Sequence, residues 1–62
     1  MYYEINVSLN GKHLFATAER SIDNKRELEN VYSLFKEKFP ESEGYKLSVT
    51  MWEKIGKAIV MD

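Results

Sequence analysis

The chain carries few side chains that could do covalent chemistry. His13 is its one histidine, and it has no cysteine. A zinc site built from Cys and His ligands is therefore excluded. A histidine general base needs a group to orient it and a nucleophile or water to act on. His13 lies beside a turn, opposite Ser8, with no Ser/Asp constellation to gather around it, and reads as an exposed strand residue. Glu41 and Glu43 are the nearest approach to a carboxylate pair, but they sit beside Gly44 and read as a solvated turn. An N-terminal proline base is absent, because Met1 is followed by Tyr2. Phosphate binding needs a Gly-rich loop or a helix N-terminus, and Gly11, Gly44 and Gly56 each read as turn residues, Gly56 with a positive φ. The expectation is a non-enzyme with no catalytic residue, no cofactor and no metal.

The residues better suited to function are those that could make contact. The stretch VSLNGKHLFATA places Asn10-Gly11 between two alternating runs. Tyr3, Ile5, Val7 and Leu9 alternate with Tyr2, Glu4, Asn6 and Ser8, which is the period of a half-buried strand. Asn-Gly supplies the two positive-φ residues of a type I′ hairpin turn. A two-residue turn pairs Leu9 with Lys12, Val7 with Leu14, Ile5 with Ala16 and Tyr3 with Ala18. In that register Phe15 points away from the apolar set, together with His13 and Tyr2.

A helix over about 23–39 follows. Leu28, Val31, Tyr32, Phe35 and Phe39 form one helical stripe. Ser21, Asp23 and Asn24 are candidate caps, and Asn24 with Glu27 resembles a capping box. Pro40 disfavours helical geometry at Phe39 and ends the helix. The run YKLSVTMW alternates again, with Tyr45, Leu47, Val49 and Met51 opposed to Lys46, Ser48, Thr50 and Trp52. EKIG is the expected turn. A loop of two or four residues puts Ala58 and Val60 with Leu47, Val49 and Met51, and puts Lys57, Ile59 and Met61 on the Trp52 side.

The elements expected are strands at about 2–9, 12–19, 45–52 and 57–61 around the helix, in one domain spanning 1–62. A helix about 24 Å long crosses the sheet once and starts the third strand parallel to the second. The result is a two-layer α+β domain of ββαββ order. Apolar residues on both faces of the fourth strand favour the strand order 2-1-4-3, with the all-antiparallel 2-1-3-4 as the alternative. This pattern, with Leu9, Asn10, Gly11, Lys12 and Leu14 as the string LNGKxL, resembles the small β-grasp domain of the protein G immunoglobulin-binding type. The resemblance implies the architecture only. No matched binding motif lies on the helix or third strand, so immunoglobulin binding is not implied.

On this reading the open sheet face gathers Tyr2, His13, Phe15, Trp52, Ile59 and Met61. A contiguous patch of that kind marks a contact site, and Trp and Tyr lead among interface hot spots. Two occupants are expected: a second copy, stacking sheet on sheet as a homodimer, or another protein. The second class of function is single-stranded nucleic-acid binding by Phe15 and Trp52 with Lys46 and Lys57, opposed by Glu4 and Glu19 on the same face. The helix's outer face, with Lys25, Arg26, Glu29, Asn30, Ser33, Lys36 and Glu37, reads as solvated.

Composition is consistent with a binder. The net charge of −1, with acids and bases interspersed, opposes a general electrostatic footprint for nucleic acid or membrane. A chain of 62 residues buries only about 60% of its unfolded surface, so self-association would help it. No signal peptide or bilayer-length apolar run is visible. The chain begins with Met and reads as a complete, cytoplasmic small protein. Its size suits the stand-alone regulators, adaptors and inhibitors of bacteria and phages.

Overall fold

The computed structural model describes residues 1–61. The chain forms β1 (Tyr2–Leu9), β2 (Lys12–Ala16), α1 (Lys25–Lys38), one 3₁₀ turn (Glu41–Glu43), β3 (Tyr45–Trp52) and β4 (Gly56–Ile59). This is the expected α+β ββαββ succession. The four strands make one open sheet in the order β2-β1-β3-β4, antiparallel throughout. The favoured order 2-1-4-3 is thus corrected to its alternative. Both β1 and β3 have eight residues, and they pair along their whole length from Tyr2↔Trp52 to Leu9↔Tyr45. The four-residue β4 could not give β1 a ladder of that length. The helix does carry the chain across the sheet, because β3 runs in the same direction as β2 on the other side of β1.

The first hairpin closes as the Asn-Gly pair demands, with Asn10 at φ 51° and Gly11 at φ 86°. Leu9↔Lys12 and Ser8↔His13 then follow the two-residue turn, but Val7 pairs with Phe15. Leu14 is the extra residue of a β-bulge. The physical reason lies on the helix. Phe15 packs edge-to-face against Phe35 at 6.1 Å and Phe39 at 5.5 Å, and such pairs add about 0.5–1.5 kcal/mol each beyond burial. The bulge turns Phe15 to the helix side and leaves Leu14 45% exposed. The expected pairings of Val7 with Leu14 and Ile5 with Ala16 are overturned.

β2 also stops at Ala16 rather than near residue 19. Thr17 N–H donates to the Ile5 carbonyl (3.0 Å), and the Thr17 hydroxyl oxygen accepts from Ile5 N–H (3.0 Å). Next to it, Tyr3 N–H donates to the Ile22 carbonyl (2.7 Å). β1 is therefore flanked by β2 and then by Ile22, which is buried. The core cluster is Tyr3, Ile5, Ile22, Leu28 and Val49, with Val31, Tyr32, Phe35, Leu47, Met51, Ile59 and Met61 packed against it.

α1 starts two residues later than expected and ends one earlier. Asn24 is its cap: the side-chain oxygen accepts from Glu27 N–H at 2.8 Å, which satisfies one of the helix's free donors. Phe39 closes it, its N–H reaching the Phe35 carbonyl at 2.7 Å. Gly44, at φ 93°, then turns the chain into β3. A Cβ there would collide with the Asn10 side chain, so the hairpin turn and the β3 entry lock together. Asn10 N–H donates to the Gly44 carbonyl (2.9 Å).

The second hairpin brings a further correction. Trp52 pairs with Gly56, so the loop holds the three residues 53–55. An odd loop reverses strand parity, and one residue of slip moves every side chain to the other face. Ile59 pairs with Val49 and Lys57 with Met51, both on the helix side. Ala58 and Gly56 take the open face. β4 ends at Ile59 rather than Met61, so Val60 and Met61, which suggest a central strand with apolar residues on both faces, lie outside it. Gly56 has no positive φ. Its role is space: a Cβ would lie 2.8 Å from Trp52 Cη2 and 3.0 Å from Thr50 Cγ2.

Candidate functional site

The open face of the sheet is a polar surface. Down its centre runs a line of side-chain contacts across β3, β1 and β2. Trp52 Nε1–H donates to Glu4 Oε1 (3.4 Å), Asn6 Nδ2–H donates to the same oxygen (3.1 Å), and His13 Nε2 lies 3.3 Å from Asn6 Oδ1. The Trp52 ring lies over Gly56, which covers apolar surface that would otherwise face water. Tyr2 stands at the end of this line. Its phenol is pushed above the ordinary value by desolvation first, then by the Glu19 and Glu4 carboxylates, with Arg20 opposing.

The residues named from sequence thus divide. Tyr2, His13 and Trp52 share the open face, where Glu4 and Asn6 link His13 to Trp52. Phe15, Ile59 and Met61 do not join them. Phe15 is turned over by the bulge, Ile59 by the odd loop, and Met61 packs against the core from the helix side. The contiguous apolar patch is therefore absent from this face. Sheet-on-sheet dimerisation loses its apolar surface, and a nucleic-acid stacking surface loses Phe15 and Lys57. What His13 touches is an amide, an arrangement that orients a side chain without activating a nucleophile. Among the described residues no group of three His, Cys, Asp or Glu side chains could hold a metal ion.

A different feature emerges at the sheet edge. The hydrogen bonds of Ile5 to Thr17 and of Tyr3 to Ile22 show that odd-numbered residues of β1 turn their backbone groups away from β3. Even-numbered ones face β3, and in an antiparallel ladder their opposite partners return the bonds. Those partners are Thr50, Ser48 and Lys46. Consistently, the Ser8 hydroxyl donates to the Lys46 carbonyl (3.4 Å). The intervening residues Tyr45, Leu47, Val49 and Met51 must therefore present N–H and C=O on the far edge. Val49 and Met51 meet Ile59 and Lys57 of β4. Tyr45 and Leu47 meet no strand among the described residues. Among the described residues the ladder thus leaves a notch beside the first half of β3, flanked at the Leu47–Ser48 end by Val60 and Met61.

Beneath the notch, on the helix side, runs a groove. One part, of about 530 Å³, lies between α1 and the chain leaving β4, and is lined by Tyr3, Leu28, Tyr32, Ile59 and Met61 and by polar residues of α1, Lys25 and Lys36 among them. Past Tyr32 and Lys36 a smaller pocket is lined by Phe39, Glu41, Tyr45 and Leu47. Phe39 and Tyr45 meet edge-to-face at 5.3 Å. Sequence reasoning missed this site because it looked for side chains, whereas the notch is made of backbone. The available signal was length: the eight residues of YKLSVTMW face a shorter KAIVM.

Among the described residues no helix is long and apolar enough to cross a membrane. In comparison with known proteins, no family model matches the chain, and neither curated proteins nor solved structures give a match.

Proposed function

We propose that this chain is a non-enzymatic interaction module that captures an extended segment of a protein partner. The segment adds as a strand to the open half of β3 and sends alternate side chains into the groove under α1. The observation that carries the reading is that β4 pairs only with Val49–Trp52, so that among the described residues Tyr45 and Leu47 meet no strand, beside a groove lined by Tyr32, Phe39 and Leu47 together with Lys36 and Glu41. Free strand edges are templates for pairing, and proteins usually blunt them. The opposite edge is blunted, by Lys12 and the bulge at Leu14. Strand addition obtains affinity from main-chain bonds and specificity from pockets for alternate side chains.

The two residues can make up to four backbone hydrogen bonds, each worth about 0.5–1.5 kcal/mol net. Association costs at least about 4 kcal/mol. The notch alone therefore leaves at most about 2 kcal/mol, a Kd no tighter than about 30 mM, and useful capture depends on the groove. That profile suits a regulator, adaptor or inhibitor with a reversible grip.

The chain is short enough for chemical synthesis, which allows a backbone test. Peptides selected by display against the folded protein should perturb the amide signals of Tyr45 and Leu47. They should lose at least tenfold in affinity when Leu47 is replaced by N-methyl-leucine, which removes the donor and keeps the side chain. Selected peptides that instead perturb His13 and Trp52, indifferent to the N-methyl group, would move binding to the open face and overturn the proposal.

A further inference from the structure

A separate hollow lies where β1 begins and β3 ends. We propose that the cleft beside Tyr2 and Trp52 binds an organic cation of the quaternary or methylated ammonium class, held by the two aromatic rings and the carboxylates around them. This site does not rest on the strand-addition reading and shares no residue with the notch.

The cleft follows from the pairing at this end of the sheet. Tyr2 and Trp52 stand opposite each other on β1 and β3, and aromatic residues so placed ordinarily pack together. Here the Trp52 ring lies toward β4 instead, over Gly56, where a Cβ would come within 2.8 Å of Cη2. A glycine at that position lets the indole lie down on the sheet. On its other side the indole is fixed by Nε1–H, which donates to Glu4 Oε1 (3.4 Å). The ring is thus held away from Tyr2, and a hollow of about 340 Å³ opens beside the two, lined by Met1, Tyr2, Arg20, Asp23, Trp52 and Glu53.

The charges around the hollow select the sign of its guest. Asp23 and Glu53 line it, opposed by Arg20 and the Met1 amine. Two more carboxylates act on the Tyr2 ring. Desolvation raises its phenol most, Glu19 and Glu4 raise it further, and Arg20, the smallest influence, lowers it. The acids therefore outweigh the guanidinium at this ring. Lys54, next in the loop, lines a different hollow with Ile55 and Lys57. A bare metal ion is a poor guest, because among the described residues no group of three His, Cys, Asp or Glu side chains could hold one. An anion would meet the excess of carboxylates. What suits two rings in a negative field is a cation with a weakly hydrated, methylated surface. Ring faces attract such groups, Trp most strongly, by about twofold to fivefold in affinity for each exposed ring.

The test titrates choline chloride and its neutral carbon isostere, dimethylbutanol, into isotope-labelled protein at constant ionic strength, followed at the amides of Tyr2 and Glu53. Choline should bind at least about threefold more tightly than the alcohol. Trp52→Leu should abolish the difference. Two substitutions at exposed positions keep the test open if that variant unfolds. Glu53→Lys should weaken choline at least about threefold and leave the alcohol unchanged. Arg20→Gly removes the opposing charge and relieves a positive φ of 62°, and it should strengthen choline binding about twofold. A capped peptide carrying trimethyl-lysine separates the two sources of this chemistry. Tighter binding than choline supports the site with a modified protein as its source, and weaker binding supports it with a free quaternary ammonium. If choline and the alcohol shift those amides alike, or choline binding ignores both charge substitutions, the cleft is not a cation site. If neither compound shifts them at tens of millimolar, the proposal falls.

Discussion

The bulge at Leu14 decides whether Leu14 or Phe15 turns to the helix, and substitutions at both positions read it out. Phe15 is 39% exposed, so somewhat more than half of it is buried, against Phe35 and Phe39. Truncating a fully buried Phe to Ala costs about 3–5 kcal/mol. Scaled to this burial, with the aromatic contacts included, Phe15→Ala should cost about 3 kcal/mol. Leu14 is 45% exposed and, like Phe15, lies outside the core cluster and the residues packed on it, but it has no ring contacts to lose. Its truncation should cost about 1 kcal/mol, mostly the transfer of the covered part of its side chain. A domain of this size has only about 3–5 kcal/mol in total, so Phe15→Ala would stand close to unfolding. Phe15→Leu, expected to cost about 1–2 kcal/mol from lost ring contacts, keeps the comparison measurable. Urea titration of the three variants gives the ranking. In thermal melts each kcal/mol corresponds to about 4–8 °C. An unbulged hairpin would put Leu14 opposite Val7 in the core and Phe15 in water. It would reverse the order, with Leu14→Ala costing more than either Phe15 variant, and that result would refute the register and the face assignment built on it.

Three further outcomes are expected. Gly56→Ala must displace the Trp52 ring and Thr50 methyl; it should cost about 1–2 kcal/mol and shift Trp52 fluorescence, and an unchanged spectrum would show that the ring does not cover Gly56. Hydrogen exchange should separate neighbours on β3, with the Leu47 amide exchanging at least a hundredfold faster than that of Val49, which faces β4; equal protection would mean that the notch is filled. The raised Tyr2 phenol favours its neutral form in the folded state, so its contribution is fully present below the unfolded value near 10 and is lost as pH rises through the higher folded one. Denaturant titrations at pH 9 and pH 11 should therefore show a smaller alkaline loss of stability in Tyr2→Phe than in the parent chain, and an identical loss in both would remove Tyr2 as the cause.

Local sequence signals determined the succession of elements. Asn10-Gly11 forces a tight hairpin because both residues accept positive φ. The Leu28, Val31, Tyr32, Phe35 stripe sets a helix that Asn24 begins and Phe39-Pro40 ends. Alternation in YYEINVSL and YKLSVTMW makes both of them strands with one apolar face. These are short-range effects of backbone sterics and burial, and they act within a few residues. Which residues share the open face was decided elsewhere. Phe15 changed sides because two helix phenylalanines, far along the chain, reward its burial more than an unbroken ladder rewards Leu14. Ile59 changed sides because one residue in the loop 53–55 sets the parity of all of β4. Ile22 became core through a single bridge to Tyr3. The notch beside Tyr45 and Leu47 exists because β4 is shorter than β3, and pairing length is a property of two strands together. Side-chain identity says little about where a ladder stops, so only the assembled sheet reveals it.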